Sequence, residues 1–351
     1  MAIRGICMDM CPKQEIILRQ REGLVHILEQ CDDNHESHSK QYKKIHRQKI
    51  KVDHNRMVKA FQRSAAGRNM LCPEDLRPPD VLFQTVVYLI ERILKNTYVK
   101  WPIVYNFITD RLRAVRQDMV IQQPTPEERL KILVPIVRFH IYSSYRLCTE
   151  SVHTFDPKLN NTHLIECLAS LIYLFDLDNT DSTTRWEIEA VNLLWNLGDS
   201  YTLTRFISLS KTSNHQFLKM AKDISFAYLR NNYNGIFNIF TKLPVLLQMV
   251  LASHLPLIRR NALRTMNNAY SSKNLTYPLS KLKSLLKFNN DEEALNECKY
   301  YGLKVDNGNI HFLRETFDHS VKLNTMKKLD LIDSSLRETE HPLLLLQCSW
   351  T

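Results

Sequence analysis

The chain has 351 residues, a net charge of +10, 44% hydrophobic residues and only seven glycines, where an average chain of this length carries roughly 25. The seven (5, 23, 67, 198, 235, 302, 308) never fall close enough for a dinucleotide fingerprint, a phosphate-binding loop or a nucleophile elbow. No apolar run approaches the ~18 residues of a membrane span, residues 1–20 lack a secretory h-region, and the eight cysteines are scattered, so a reduced, non-secreted protein with no membrane partner is expected.

The first predicted element is irregular. Gly5-Ile6-Cys7-Met8-Asp9-Met10-Cys11-Pro12-Lys13-Gln14-Glu15 holds two cysteines four apart and a proline that disfavours helix at Cys11 but suits a first helical position. It reads as a plug leading into a helix from Pro12 to about Cys31. A polar loop follows at 32–40. From Lys40 to Arg68 there are ten Lys/Arg against one acid, Asp53, a basic helical region with Met57, Val58 and Phe61 as docking residues. This block either meets an acidic partner or is a solvated connector. Pro73, Pro78 and Pro79 make a break.

Beyond that break, stripes at three-or-four spacing predict amphipathic helices. They run through Leu82–Ile93, Val104–Met119, Leu130–Cys148 and Leu164–Phe175. Further helices are predicted near 185–197, 200–211, 214–230, 233–241 and 244–254. Such pairs stacked in sequence make an α-solenoid of degenerate repeats. The last third reads as three short helices, Ile258–Tyr270, Leu279–Phe288 and Asp291–Tyr301, the third capped by Asn290 or Asp291 and stopped by Gly302. A hairpin turning on Asn307-Gly308 follows, which completes a winged helix with a small β-wing. The fold class is therefore all-α, divided as 1–79, 80–254, 255–313 and a tail, 314–351, whose run Pro342–Leu346 docks on the body or on a partner.

These features together resemble one family. Gly-x-Cys-x-Asp-Met-Cys-Pro-x-x-Glu over residues 5–15 resembles the opening signature of SAC/GANP proteins, members of the PCI-domain class. Arg63-Ser64-Ala65-Ala66, Leu76-Arg77-Pro78, the run Asp110–Asp118, Arg138-Phe139-His140 and Phe155–Asn161 also resemble that family's ordered motifs. The resemblance implies a non-enzymatic scaffold that pairs through its winged helix with a second PCI-domain protein, with a small acidic Sem-type subunit as companion. It implies a role in nuclear messenger-RNA export or processing. The chain is most similar to the short animal SAC-domain-containing members linked to centrosomes, so a centrosome and spindle role without nucleic acid is the alternative. With four residues before Gly5 and an early stop, pore tethering and centrin recruitment are not expected.

The site residues are read as follows. Cys7, Asp9, Met10, Cys11 and Pro12 form a structural signature. A zinc site completed by His26, Cys31, His35 or His38 lacks a second close pair, so no metal, cofactor or small-molecule substrate is expected. Arg111 with Asp118, and Arg113 with Arg116, suit ion pairs between stacked helices, with anion binding as the other reading. His140 is expected in the core. Lys49, Lys51 and Arg56 of the basic block, and Arg259, Arg260, Arg264, Lys281, Lys283 and Lys287 of the winged helix, are candidates for an RNA or DNA backbone. The recognition helix carries Asp291, Glu292, Glu293 and Glu297, which would repel phosphates and suit a partner protein.

Overall fold

A computed structural model describes residues 3–31, 53–63, 71–177, 182–209, 215–338 and 341–346. The chain divides into two compact units, 1–136 and 137–351, and the border falls inside a helix rather than at the sequence-based boundary after residue 79.

In the first unit, α1 (Lys13–Arg21) opens with Pro12 as its cap. It stops ten residues short of the predicted end because Gly23 takes φ +67 and Leu24 N–H closes back on the Arg19 carbonyl at 2.8 Å. A capping box between His26 and Glu29 then starts a single 3₁₀ turn, Ile27–Glu29. The described part of the basic block is not helical: after a turn at His54–Arg56 the chain runs extended, with Met57 and Val58 fully buried. Helix α2 (Pro79–Tyr88) continues as a π turn over Leu89–Ile93, and α3 (Trp101–Gln122) is the spine on which the rest is laid. Helix α4 (Pro126–Arg146) crosses the border between the units.

Two buried carboxylates organise this unit. Glu29, with no exposed surface, accepts from Val58 N–H (3.1 Å), His26 N–H (3.2 Å) and Arg111 Nη2 (3.2 Å), and also pairs with Arg19. Asp118 accepts from Lys59 Nζ (2.7 Å) and Arg77 Nε (2.8 Å). Arg77, itself fully buried, donates to the Met10 carbonyl at 3.3 Å, and Lys59 N–H reaches the same carbonyl at 3.0 Å. Asp110 takes the Phe61 N–H at 3.2 Å, and Arg113 lies 3.8 Å over the Phe61 ring. The Asp110–Asp118 run does form ion pairs. Its partners, however, lie in the N-terminal segments rather than on a stacked helix: Glu29 for Arg111, and Lys59 and Arg77 for Asp118.

The signature segment is the plug these bonds hold. Ile6 and Cys7 N–H groups donate to the Pro73 and Leu76 carbonyls at 2.9 and 3.0 Å. A Cβ on Gly5 would fall 2.2 Å from the Leu76 carbonyl oxygen, so only glycine fits there. Cys11 packs with Ile16, Val25 and Met57, while Asp9 stays exposed. Burial pushes both thiols upward, so Cys7 and Cys11 are protonated hydrophobes, not thiolates. Among the described residues no three metal-binding side chains gather; His35 and His38 lie outside them.

The second unit is a run of helices, α5 (Pro157–Leu177), α6 (Thr183–Trp195), α7 (Ser200–Leu209), α8 (Gln216–Leu229), α9 (Tyr233–Phe240) and α10 (Val245–Ala252), in which α6 packs on α5, α7, α8 and α10, and α8 packs on α7 and α9. The fold is thus a helical solenoid, as the stripes predict. All eight residues of α10 are buried, which makes it the central helix. Two polar pairs are sealed inside. Arg138 donates to both oxygens of Glu187 at 2.8 Å. His140, 2% exposed, shares a 2.8 Å bond with Asn160 Oδ1, whose Nδ2 donates to the His140 carbonyl.

The winged helix follows as α11 (Leu255–Ala269), β1 (Tyr277–Pro278), α12 (Leu279–Leu286), α13 (Asp291–Tyr300), β2 (Lys304–Asp306) and β3 (Asn309–His311). The sheet order is β1-β3-β2, antiparallel throughout, with Tyr277 opposite Ile310 and Val305 opposite Ile310 on the other side. Asn307 (φ 48) and Gly308 (φ 74) make the predicted turn. Strand β1 was not legible, being two residues that exist only through pairing. The described part of the tail is folded too. Helix α14 (Asp330–Glu338) is tied down where Leu329 N–H donates to Tyr145 Oη at 2.9 Å and Tyr145 donates to Asp333 at 2.8 Å. Leu344 and Leu345 of α15 (His341–Leu346) are buried, so these two residues of the apolar run pack against the body.

Candidate nucleic-acid and partner interface

Helices α11 and α12 pack their apolar stripes inward through Ile258, Ala262, Leu263, Met266, Leu282 and Leu286. The basic residues between those positions point in different directions. Arg264 and Lys281 are exposed and Arg260 is half-exposed. Arg259 is not available to a phosphate: it is 7% exposed, donates through Nε to the Leu286 carbonyl at 3.1 Å and through Nη2 to the Lys287 carbonyl, and stacks 4.2 Å over Phe288. It caps the end of α12, and burial lowers it to about 10. Lys283 pairs with Asp291 at 3.0 Å, joining a residue read as cationic contact to one read as partner contact. Lys287 sits at φ 54 just past α12. In the first unit Arg56 pairs with Asp53 at 3.2 Å and donates to the Gln30 carbonyl; Lys49 and Lys51 lie outside the described residues.

One side of the recognition helix α13 is covered. After the wing, residues 313–329 run back along it as a strap. Asp318 N–H donates to the Tyr301 carbonyl (2.9 Å), and Phe317 stacks on the Tyr301 ring at 5.5 Å and 7°. Tyr300 Oη donates to the Lys322 carbonyl at 2.9 Å, and Asn289 Nδ2 to the Lys328 carbonyl at 2.9 Å. Gly302 (φ +80) permits this: a Cβ there would meet the Thr316 carbonyl oxygen at 2.3 Å.

This layout corrects the reading of α13. Glu297 is 6% exposed and accepts from Asn324 Nδ2 at 2.6 Å, so it holds the strap rather than a partner. Glu293 is occupied by the N–H and Nδ2 of Asn289 at 3.1 and 3.2 Å, while Asp291 and Glu292 are exposed. The cations of this face come from the strap: Lys322, Lys327 and Lys328 are exposed. Sequence reading missed them, although a lysine-rich stretch after a wing was the signal.

Burial holds the Glu297 carboxyl above its ordinary value, against the lowering bond from Asn324. In the window between the unfolded and the raised folded value, the folded chain keeps a proton that the unfolded chain has lost. Stability therefore falls as pH rises through that window. Glu297→Gln is expected to remove this slope and to match or exceed the native chain above it. Denaturation midpoints of both proteins from pH 4 to 7 check this; parallel curves would count against it.

At the other end of the winged helix three rings meet. Tyr270 lies 5.8 Å from Tyr277 at 29° and 6.2 Å from Phe312, and Tyr277 lies 6.1 Å from Phe312. In the first unit a cleft of about 500 Å³ runs beside α1, lined by Pro12, Ile17, Leu18, Lys59, Gln117 and Asp118. Its buried ions, Lys59 and Asp118, are already paired with each other.

Comparison with known proteins gives the family. The family model of the SAC3/GANP family matches residues 10–307, from the signature through the turn of the wing. The chain belongs to the SAC3/GANP family. It is 28% identical over 338 residues to SAC3 family protein 1 of Schizosaccharomyces pombe, covering 87% of this chain and 31% of that protein. It is 26% identical over 337 residues to Protein xmas of Drosophila melanogaster (87% and 15%). To SAC3 family protein B of Arabidopsis thaliana it is 23% identical over 329 residues (86% and 18%). This SAC3/GANP chain thus spans under a third of the length of each of these relatives.

Proposed function

We propose that the chain is a non-enzymatic PCI-type scaffold that pairs through its winged helix with a second PCI-domain subunit, accompanied by a small acidic Sem-type subunit. In this reading its exposed cations track an RNA or DNA backbone in nuclear messenger-RNA export or processing. One observation carries the reading. The recognition helix is acidic and carries a strap along one side, whereas Arg264, Lys281 and the strap lysines are exposed. Such a surface suits backbone contact rather than major-groove reading, because cations neutralise phosphates without touching bases.

Binding is then sequence-indifferent and salt-sensitive. Joint reversal of Arg264→Glu and Lys281→Glu is expected to weaken it about ten-fold or more at moderate salt, and to flatten the dependence of log affinity on log salt. Fluorescence anisotropy with a labelled oligonucleotide at several salt concentrations measures both. Binding indifferent to salt and to these reversals would sink the nucleic-acid part. Affinity purification with mass spectrometry tests the partner part, with recovery of a second PCI protein as the supporting result. Recovery of centrosomal proteins alone, without RNA crosslinks, would replace export by the centrosome role.

A further inference from the structure

The exposed corner of the winged helix carries more than charge. Tyr270 ends α11, and 49% of its surface is open to solvent. Its ring lies against Tyr277 and Phe312, with centroids at 5.8 and 6.2 Å. Phe312 is 1% exposed and Tyr277 is fixed in β1 opposite Ile310, so the support is rigid. The following loop is pinned to the base of the wing: Ser272 N–H donates to the Phe312 carbonyl at 3.0 Å, and Ser271 Oγ accepts from Arg314 N–H at 3.2 Å. Those bonds place two exposed cations, Lys273 and Arg314, on the segments flanking the ring. Glu315 offsets Arg314, which leaves Lys273 as the principal charge. Arg264 stands less than two turns back along α11.

A half-exposed ring on a fixed aromatic base, with exposed cations on the adjoining segments, matches what an unpaired base and its phosphate need. A duplex hides its base faces and gains nothing from such a ring. We infer that Tyr270 is a stacking platform for a base of single-stranded nucleic acid, with Lys273 meeting the adjoining phosphate. The inference rests on the nucleic-acid reading above and adds to it the strand state of the ligand.

The test compares a labelled 15-nucleotide oligo(U) with a 15-base-pair duplex, using the full 351-residue chain. Tyr270→Ala is expected to weaken oligo(U) binding about ten-fold, to leave duplex binding and the salt slope unchanged, and to be rescued by Tyr270→Phe. A 4-thiouridine crosslink from oligo(U) should map to the peptide containing Tyr270, a readout independent of how well the variant folds. If Tyr270→Ala binds like the native chain while Arg264→Glu/Lys281→Glu weakens binding, the platform is wrong and the nucleic-acid reading stands. Equal losses on both ligands would also overturn it, as would a purification in which Tyr270→Ala releases a partner protein and leaves oligo(U) affinity intact. If the native chain binds neither oligonucleotide, both readings fall.

Discussion

Asp118→Ala is expected to cost the first unit about 3–5 kcal/mol, because it strips the counter-charge from two buried cations at once. Lys59 and Arg77 have no other carboxylate within ion-pairing distance among the described residues. Their backbones belong to the segments that fold over α3, at 57–63 and 71–77. Losing the carboxylate should therefore loosen those segments and the plug beneath them, since Arg77 and Lys59 also serve the Met10 carbonyl. Folded domains keep only about 5–15 kcal/mol in reserve, so the effect should show as a large drop in urea midpoint. Hydrogen exchange of 57–63 should accelerate in step. A combined Lys59→Met, Arg77→Met and Asp118→Leu chain should recover most of the loss, because well-packed apolar groups replace a buried ion cluster at little cost. A single variant within about 1 kcal/mol of the native chain would show that these ions are wetter than their burial indicates.

Arg138→Ala is the corresponding change in the second unit, again with an expected loss of about 3–5 kcal/mol. Here the geometry adds a second test. Nε and Nη2 each bond one oxygen of Glu187 at 2.8 Å, and both side chains are 2% exposed. Lysine offers a point charge and cannot form that fork, so Arg138→Lys should fall between alanine and the native chain. A double-mutant cycle with Glu187→Gln should give a coupling well above the 0.2–1 kcal/mol typical of exposed pairs. Additive losses would show that the two residues act separately.

Both networks use residues that the sequence offered as motifs: Leu76-Arg77-Pro78, Asp110–Asp118 and Arg138-Phe139-His140. The motifs were legible, and so was the bland reading of His140 and the cysteines. The partners were not. Asp118 meets Lys59 and Arg77 across 59 and 41 positions, and no local period encodes such a pairing. Helices were read correctly wherever an apolar stripe repeats, because burial of one face imposes the spacing. The reading failed where backbone bonds decide: Gly23 stops α1, and β1 exists only because β3 takes up its hydrogen bonds.

The interface suffered most from treating each charge as surface. Arg259 and Lys281 look alike in a count of basic residues. One spends its guanidinium on the carbonyls that end α12, and the other faces water. Glu297 and Glu292 differ in the same way, one bonded to Asn324 and the other free of the strap. A polar stretch such as 318–328 shows no periodicity, yet it fastens itself through main-chain carbonyls that composition cannot reveal.

The strap also bears on where this protein can be cut. A winged helix is ordinarily treated as a module that closes with its last strand. Here Phe317 supplies the ring that stacks on Tyr301, Asn324 satisfies a buried carboxylate, and Leu329 reaches Tyr145 back on α4. Ending the polypeptide at His311 would strip all three contacts and bare the side of α13 that they shield. The smallest piece that keeps its own interior dry therefore extends through α14, so the wing is an internal landmark and not a terminus.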